Sequence, residues 1–275
     1  MAEAFDRARF AARLGTRRLG RSLLVRESSP STNDEAWTAL AELGDGAAVI
    51  ALEQTRGRGR AGRSWQQVPG KGLALSVALH LGCDVRQAGV IPLAAGLAVA
   101  RAAHALGAAR AQLKWPNDVL VDGRKLAGVL CEVRRVAAFS AGGAGGADAV
   151  VIGVGLNVRH AREDFPPELR DRATSLALEG SDASLEDAAA EVLTRLEPLS
   201  DEFQEGDRTA LLAAWSALAP HWGAWLRVRT PAGEVEGIAQ RLDADGGLVL
   251  RTASGVETTV LAGDLQPAGE GWDAA

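Results

Sequence analysis

The run Glu53-Gln54-Thr55-Arg56-Gly57-Arg58-Gly59-Arg60-Ala61-Gly62-Arg63-Ser64-Trp65 concentrates more chemistry than any other part of the chain. Arginines alternate with glycines, and no acidic residue lies between Arg56 and Trp65. Glycine lets a backbone turn anywhere and approach a ligand closely. Arginine offers a planar fork of donors suited to carboxylate and phosphate oxygens. The combination reads as a loop that closes on an anion and stays mobile until one arrives; a solvated arginine run is the plain alternative. Gly57, Gly62, Arg63 and Ser64 nearly match a Walker A loop, with arginine in place of lysine. The context excludes it. Ala47 to Leu52 looks like a strand, but Gly72 to Leu81 also alternates like one, so no helix N-terminus completes a phosphate cradle.

Lysine usage supplies the next candidates. Of 30 basic side chains only Lys71, Lys114 and Lys125 are lysines. A chain that uses arginine for generic positive charge keeps lysine where a compact point donor is needed. Lys125 follows Asp122-Gly123, a strong two-residue hairpin signal. The hairpin aligns Val119-Leu120-Val121 with Lys125-Leu126-Ala127 and leaves Asn117 and Asp118 at the open end. Asn117 and Asp118 beside a lysine suit a magnesium-bound phosphate; a turn-initiating pair is the competing account. Ser31-Thr32-Asn33 admits two readings as well. Either Ser31 or Thr32 caps a helix from Asp34 to Leu43, or the triplet bonds a neutral polar ligand. Gly128 marks a bulge or a close backbone approach, and Gly153 and Gly155 interrupt a buried strand.

The elements that must position these residues follow from periodicity. Met1 to Gly20 is expected as an amphipathic helix anchored by Phe5, Phe10 and Leu14. A strand at Ser22 to Arg26, a buried helix over Ala88 to Leu106 and a strand at Val150 to Val158 come next. The Gly/Ala run Ala141 to Ala147 reads as a surface loop. Ser184 and Asp187 form a capping box for a helix toward Gln204 with a kink at Pro198, and Asp207 caps another. Four short strands between Trp225 and Val260, separated by Gly-rich turns, indicate a small β-barrel. The fold class is α+β: a central mixed or antiparallel sheet flanked by helices over 1–222, with a small C-terminal barrel over 223–275.

Composition narrows the function. The 275 residues are 47% hydrophobic and 24% charged, ordinary for a globular chain, with net charge −5. A protein acidic overall is no general nucleic-acid binder, so any basic function is local. Cys83 and Cys131 lack CxxC spacing and read as core residues in a reducing compartment. The arginine-rich start is no secretory signal, and Ala88 to Ala100 is too short to span a bilayer, which points to the cytoplasm.

Taken in order, Ser31-Thr32-Asn33, Gly57 to Trp65, Lys114-Trp115-Pro116-Asn117-Asp118, Lys125 to Gly128 and Gly153 to Asn157 resemble the motifs of biotin protein ligases. The resemblance spans about Ser28 to Pro267. It implies a class II synthetase-like catalytic domain with an SH3-like C-terminal barrel. It also implies a two-step reaction. Biotin and Mg-ATP give biotinyl-5′-AMP and pyrophosphate, and a lysine of a biotin carboxyl carrier domain then takes the biotinyl group. Carried over by motif, Ser31, Thr32, Asn33, Gln54, Gly57, Arg58, Arg60, Lys125 and Gly128 face biotin. Arg60, Arg63, Trp65, Asn117, Gly155 and Asn157 face ATP, and Asn117 and Asp118 the Mg2+. Lys125 and Arg60 carry the chemistry; Trp65 and Trp115 are candidates for packing on adenine.

Family members that repress transcription carry an N-terminal helix-turn-helix domain. Only about thirty residues precede Ser31, so no DNA partner is expected, and no membrane; homodimer formation stays open. Two rival functions remain at this stage. A lipoate ligase or octanoyl transferase shares the fold and a lysine site, though the GRGRxGR loop is not its signature. An RNA-binding arginine-glycine loop beside an SH3-like module predicts steep salt dependence.

Overall fold

The computed structural model describes residues 4–82, 89–136, 147–205 and 208–267. Its elements are α1 (Arg7–Arg13), β1 (Leu23–Arg26), α2 (Thr32–Leu43), β2 (Ala48–Ala51), β3 (Gly72–His80), α3 (Ile91–Ala105), β4 (Ala111–Lys114), β5 (Asp118–Val121), β6 (Arg124–Val136), β7 (Ala147–Asn157), α4 (Leu185–Glu205), α5 (Thr209–Ala217) and five further strands, β8 (Trp225–Thr230), β9 (Gly233–Leu242), β10 (Leu248–Arg251), β11 (Glu257–Val260) and β12 (Asp264–Pro267). The first seven strands make one mixed sheet in the order β1-β2-β3-β7-β6-β5-β4. Only β1 and β2 pair in parallel; every other pairing is antiparallel.

Residue size decides which helix covers which face. In β3 the large Leu73, Leu75, Val77 and Leu79 alternate with the small Ala74, Ser76 and Ala78. The large set joins the main core with α3 and α4. Ala78 joins Ala36, Ala39 and Leu40 of α2 in a second cluster on the opposite face. With both faces covered, the strand reads as an unbroken apolar run rather than an alternation of apolar and polar. Ser76 is the exception, a fully buried hydroxyl beneath α2.

The N-terminal segment departs from expectation. Helix α1 covers only Arg7–Arg13, capped by the Asp6 carboxylate at the amides of Ala8 and Arg9. Phe10 and Leu14 are buried anchors, as the pattern indicates. The chain then leaves the helix because Glu197 of α4 captures it: its carboxylate accepts from the amides of Arg17, Arg18 and Leu19 at 2.7, 2.8 and 2.9 Å. Helix α2 begins two residues earlier than expected. Ser31 occupies its N-cap, yet its hydroxyl makes no capping bond. The Ser184–Asp187 capping box is present, with reciprocal bonds of 3.1 and 3.2 Å, and α4 runs on through Pro198. Cys83, Asp207 and the glycine run up to Gly146 lie outside the described residues, and Ala147 opens β7.

The C-terminal strands form an antiparallel sheet in the order β11-β10-β9-β8-β12, one strand more than the periodicity indicates. β12 is only four residues long, with one buried apolar residue, Leu265, among those described. Leu226, Val228, Leu248, Leu250 and Leu265 belong to the same buried cluster as the central sheet. Trp115 reaches across it, its fully buried indole N–H donating to the carbonyl of Gly246 at 3.1 Å.

Candidate active site

The hairpin forms as its turn residues require. Asp122 and Gly123 take φ of 48° and 75°, the left-handed pair of a two-residue turn. Val119 faces Ala127 while Leu120 faces Lys125, so Leu126 is the extra residue of a bulge. Gly128 lies just past the bulge and pairs with Gly155 of β7.

The arginine-glycine loop is a folded hairpin. Trp65 donates its amide to Gly57 O at 2.9 Å, and Gly59 donates to Arg63 O at 2.7 Å. Residues Arg60–Gly62 make a short 3-10 turn at the tip. Three of its arginines bond protein groups. Arg58 bridges Asp34 at 2.7 Å and Glu132 at 3.2 Å. Arg60 donates to Asn117 Oδ1 at 2.9 Å. Arg63 meets both oxygens of Asp264 at 3.3 Å. Those acids lie far away in sequence, so the local charge count could not reveal them.

Two cavities meet under this loop. A narrow one of about 110 Å³ is lined by Ser31, Thr32, Asn33, Gln54, Arg58, Arg60, Arg63, Trp65, Asn117, Lys125, Gly128 and Gly155. A broad cleft of about 1780 Å³ is lined by Gly57, Lys114, Asp118, Asn157, the 163–173 segment and Asp264. Gln54, Arg63, Ser64, Trp65 and Lys125 belong to both. Every site residue expected from sequence except Trp115 lines one cavity or the other; Trp115 is buried in the core and lines neither.

The narrow cavity is built from polar groups on an apolar sheet. Gln54 Oε1 accepts from the Thr32 amide at 2.9 Å and lies 3.2 Å from its hydroxyl. Ser76 Oγ stands 2.7 Å from both Thr32 Oγ1 and Asn33 Oδ1. Asn33 Nδ2 donates to Glu132 at 3.0 Å. Ser31 keeps the N-cap position of α2, and all three residues of the triplet line the cavity. Gly153 and Gly155 lie two apart on the same face of β7. A Cβ at Gly153 would stand 2.1 Å from Asn33 Oδ1, and one at Gly155 2.3 Å from the Trp65 indole.

Electrostatics concentrate at the junction. Lys125 Nζ lies 2.6 Å from Asp118 Oδ1. Burial lowers the pKa of Lys114, outweighing Asp118 and Asp264, and burial likewise lowers that of Arg60. Cys131 is no nucleophile: desolvation pushes its thiol up to about 12. The expected magnesium ligands are engaged otherwise. Asn117 Oδ1 accepts from Arg60 while its Nδ2 donates to Val129 O at 2.8 Å, so the amide is turned to the loop. Among the described residues no group of three His, Cys, Asp or Glu could hold a metal.

Sequence reading missed Ser76, Glu132 and Asp264, and gave Lys114 no role. Ser76 gave a signal, a lone hydroxyl in an apolar strand, and so did Lys114 as one of three lysines. Asp264 gave none.

Comparison with known proteins decides the family. Residues 24–157 match the model of the Biotin/lipoate A/B protein ligase family, and residues 227–266 match the Biotin protein ligase C terminal domain. A biotin--[acetyl-CoA-carboxylase] ligase of Mycobacterium tuberculosis is 38% identical over 80% of this chain and 79% of its own length. The chain belongs to the biotin protein ligase family. The corresponding ligase of Paracoccus denitrificans is 34% identical over 82% of this chain and 92% of its own. Among solved structures, the biotin protein ligase from Aquifex aeolicus in complex with biotin and ATP superposes with a TM-score of 0.73 at 28% identity, covering 90% of this chain and 98% of that one. Membership accounts for the two-sheet architecture, and it sets the Walker-like spacing of the loop aside.

Proposed function

We infer that the chain activates biotin with ATP to biotinyl-5′-AMP and pyrophosphate, then transfers the biotinyl group to a lysine of a biotin carboxyl carrier protein. The observation that carries this reading is Lys125, on the wall shared by the narrow polar cavity and the broad cleft. Thr32, Asn33 and Gln54 suit the ureido ring, with donors and acceptors already held by Ser76 and Glu132. The cleft takes ATP, with Lys114 and Arg63 on its phosphate side and Trp65 and Asn157 toward the nucleotide; Gly155, in the narrow cavity, backs Trp65. Magnesium enters with ATP as part of the substrate.

A carboxylate oxygen of biotin attacks the α-phosphorus, an O–P bond forms, and the bond to pyrophosphate breaks. Two anions must meet for this, and negative charge grows on the oxygens at phosphorus. Lys125 donates to the oxygen between carboxyl carbon and phosphorus, and Arg60, fixed by Asn117, holds the adenylate. Preorganised cations in a partly desolvated site stabilise such a transition state without reorganising. In the second step the carrier's amine attacks the acyl carbon and AMP leaves.

Among the described residues no helix is long and apolar enough to cross a membrane. Biotin-dependent exchange of pyrophosphate into ATP tests the main reading. Exchange that needs biotin supports it; exchange driven equally by lipoate, or absent with both, overturns it.

A further inference from the structure

The main chain at Lys125 changes partners. Strand β6 pairs with β7 from Val136 and Ala147 as far as Ala127 and Leu156, and the pairing stops there. Beyond that point residues 172–174 take the place of β7. The Lys125 amide donates to Arg172 O at 2.8 Å, and the Thr174 amide donates to Lys125 O at 2.9 Å, one rung of a parallel bridge centred on Ala173. On its other side β6 is bulged at Leu126. A slip of one residue in a strand turns every side chain to the opposite face, so a bulged segment with no second neighbour would hold Lys125 loosely.

The strap has its own anchor. Thr174 is fully buried, and its hydroxyl donates to Glu179 at 2.6 Å. Arg124 donates to the same carboxylate oxygen at 3.0 Å, and the Glu179 side chain is only 5% exposed. Asn157 Nδ2 donates to Thr174 O at 2.9 Å and lies 3.4 Å from Lys125 O. Neither Thr174 nor Glu179 lines the narrow cavity or the broad cleft.

We propose that the Thr174–Glu179 pair is a positioning device for adenylate formation, fixing the 172–174 strap and, through it, the backbone that aims Lys125. The proposal rests on the role of Lys125 given above. Residues 163–171, which lead into the strap, line the cleft, so a nucleotide settling there bears on the same backbone.

The test is pyrophosphate exchange on Thr174→Val, Thr174→Ser and Lys125→Ala, with urea midpoints measured alongside. Loss of aim without loss of binding lowers kcat by at least about fivefold for Thr174→Val and leaves the biotin KM within about threefold. The serine variant, which keeps the hydroxyl, restores kcat. The proposal is overturned if Thr174→Val keeps kcat within about fivefold, or if kcat falls only in step with the urea midpoint and serine restores nothing. Should Thr174→Val not fold, Glu179→Gln, which keeps the shape and one acceptor oxygen, is read against the same two outcomes. An inactive Lys125→Ala beside an unaffected Thr174→Val overturns the strap alone; an active Lys125→Ala overturns the reading of the site.

Discussion

The Trp65 indole lies against the bare backbone of Gly155, where a Cβ would stand 2.3 Å from the ring. This contact closes the arginine loop on β7 in the narrow cavity, and Trp65 also lines the broad cleft. Gly155→Ala forces the indole away, and overpacking of this kind costs about 1–3 kcal/mol. The expected result is a folded protein with faster tryptic cleavage at Arg56 to Arg63 and weaker exchange. Cleavage and activity matching the parent would show that the loop does not depend on the contact.

Lys125→Ala leaves the fold intact, because the side chain's bond is to Asp118 at the cavity edge. Loss of one charge-assisted donor costs about 3–4 kcal/mol in the transition state, or about 10²–10³ in rate. Lys125→Arg recovers little, since the guanidinium fork does not place one donor where the ammonium does. Pyrophosphate exchange by the alanine variant at near the parent rate rules the role out.

Arg60 and Asn117 act as a unit. Asn117 is held by Val129 on one side and holds Arg60 on the other, at 2.8 and 2.9 Å. Arg60→Ala and Asn117→Ala therefore slow exchange non-additively, with a coupling of about 1–3 kcal/mol in a double-mutant cycle. Simple additivity of the two effects breaks the link.

Acid stability follows from His160 and His221, both buried and both held down to about 4 by desolvation, with Lys114 adding to the shift at His221. In the unfolded chain each takes up a proton near its ordinary value of 6.5, while the folded protein refuses it until about 4. The unfolded state thus binds more protons across that window. Stability is full above pH 6.5, falls as pH drops, and the loss is complete near 4, on the order of 3 kcal/mol for each imidazole. Asp164 and Glu197, whose pKa values are lowered by Lys71 and by backbone amides against the cost of burial, add a further loss at lower pH. His160→Gln is expected to flatten the fall of the urea midpoint between pH 6.5 and 4; an unchanged slope counts against the assignment.

By itself the sequence determined whatever depends on neighbours along the chain. Short apolar runs marked β2, β3 and β7, Asp122-Gly123 marked the hairpin, and Ser184 with Asp187 marked the start of α4, because turn, cap and strand are satisfied within a few residues. The ordered motifs from Ser31 to Asn157 likewise assembled the candidate site residues before any fold was known. Tertiary structure decided the rest. Glu132 anchors Arg58, Asp264 anchors Arg63, Glu197 ends α1, and Thr174 braces Lys125, each across a separation that leaves no periodic trace. A charge or hydroxyl looks unpaired in sequence when its partner is distant, and only packing brings the two within bonding range. For the same reason the partners of Arg58, Arg60 and Arg63 left no sign in the run itself.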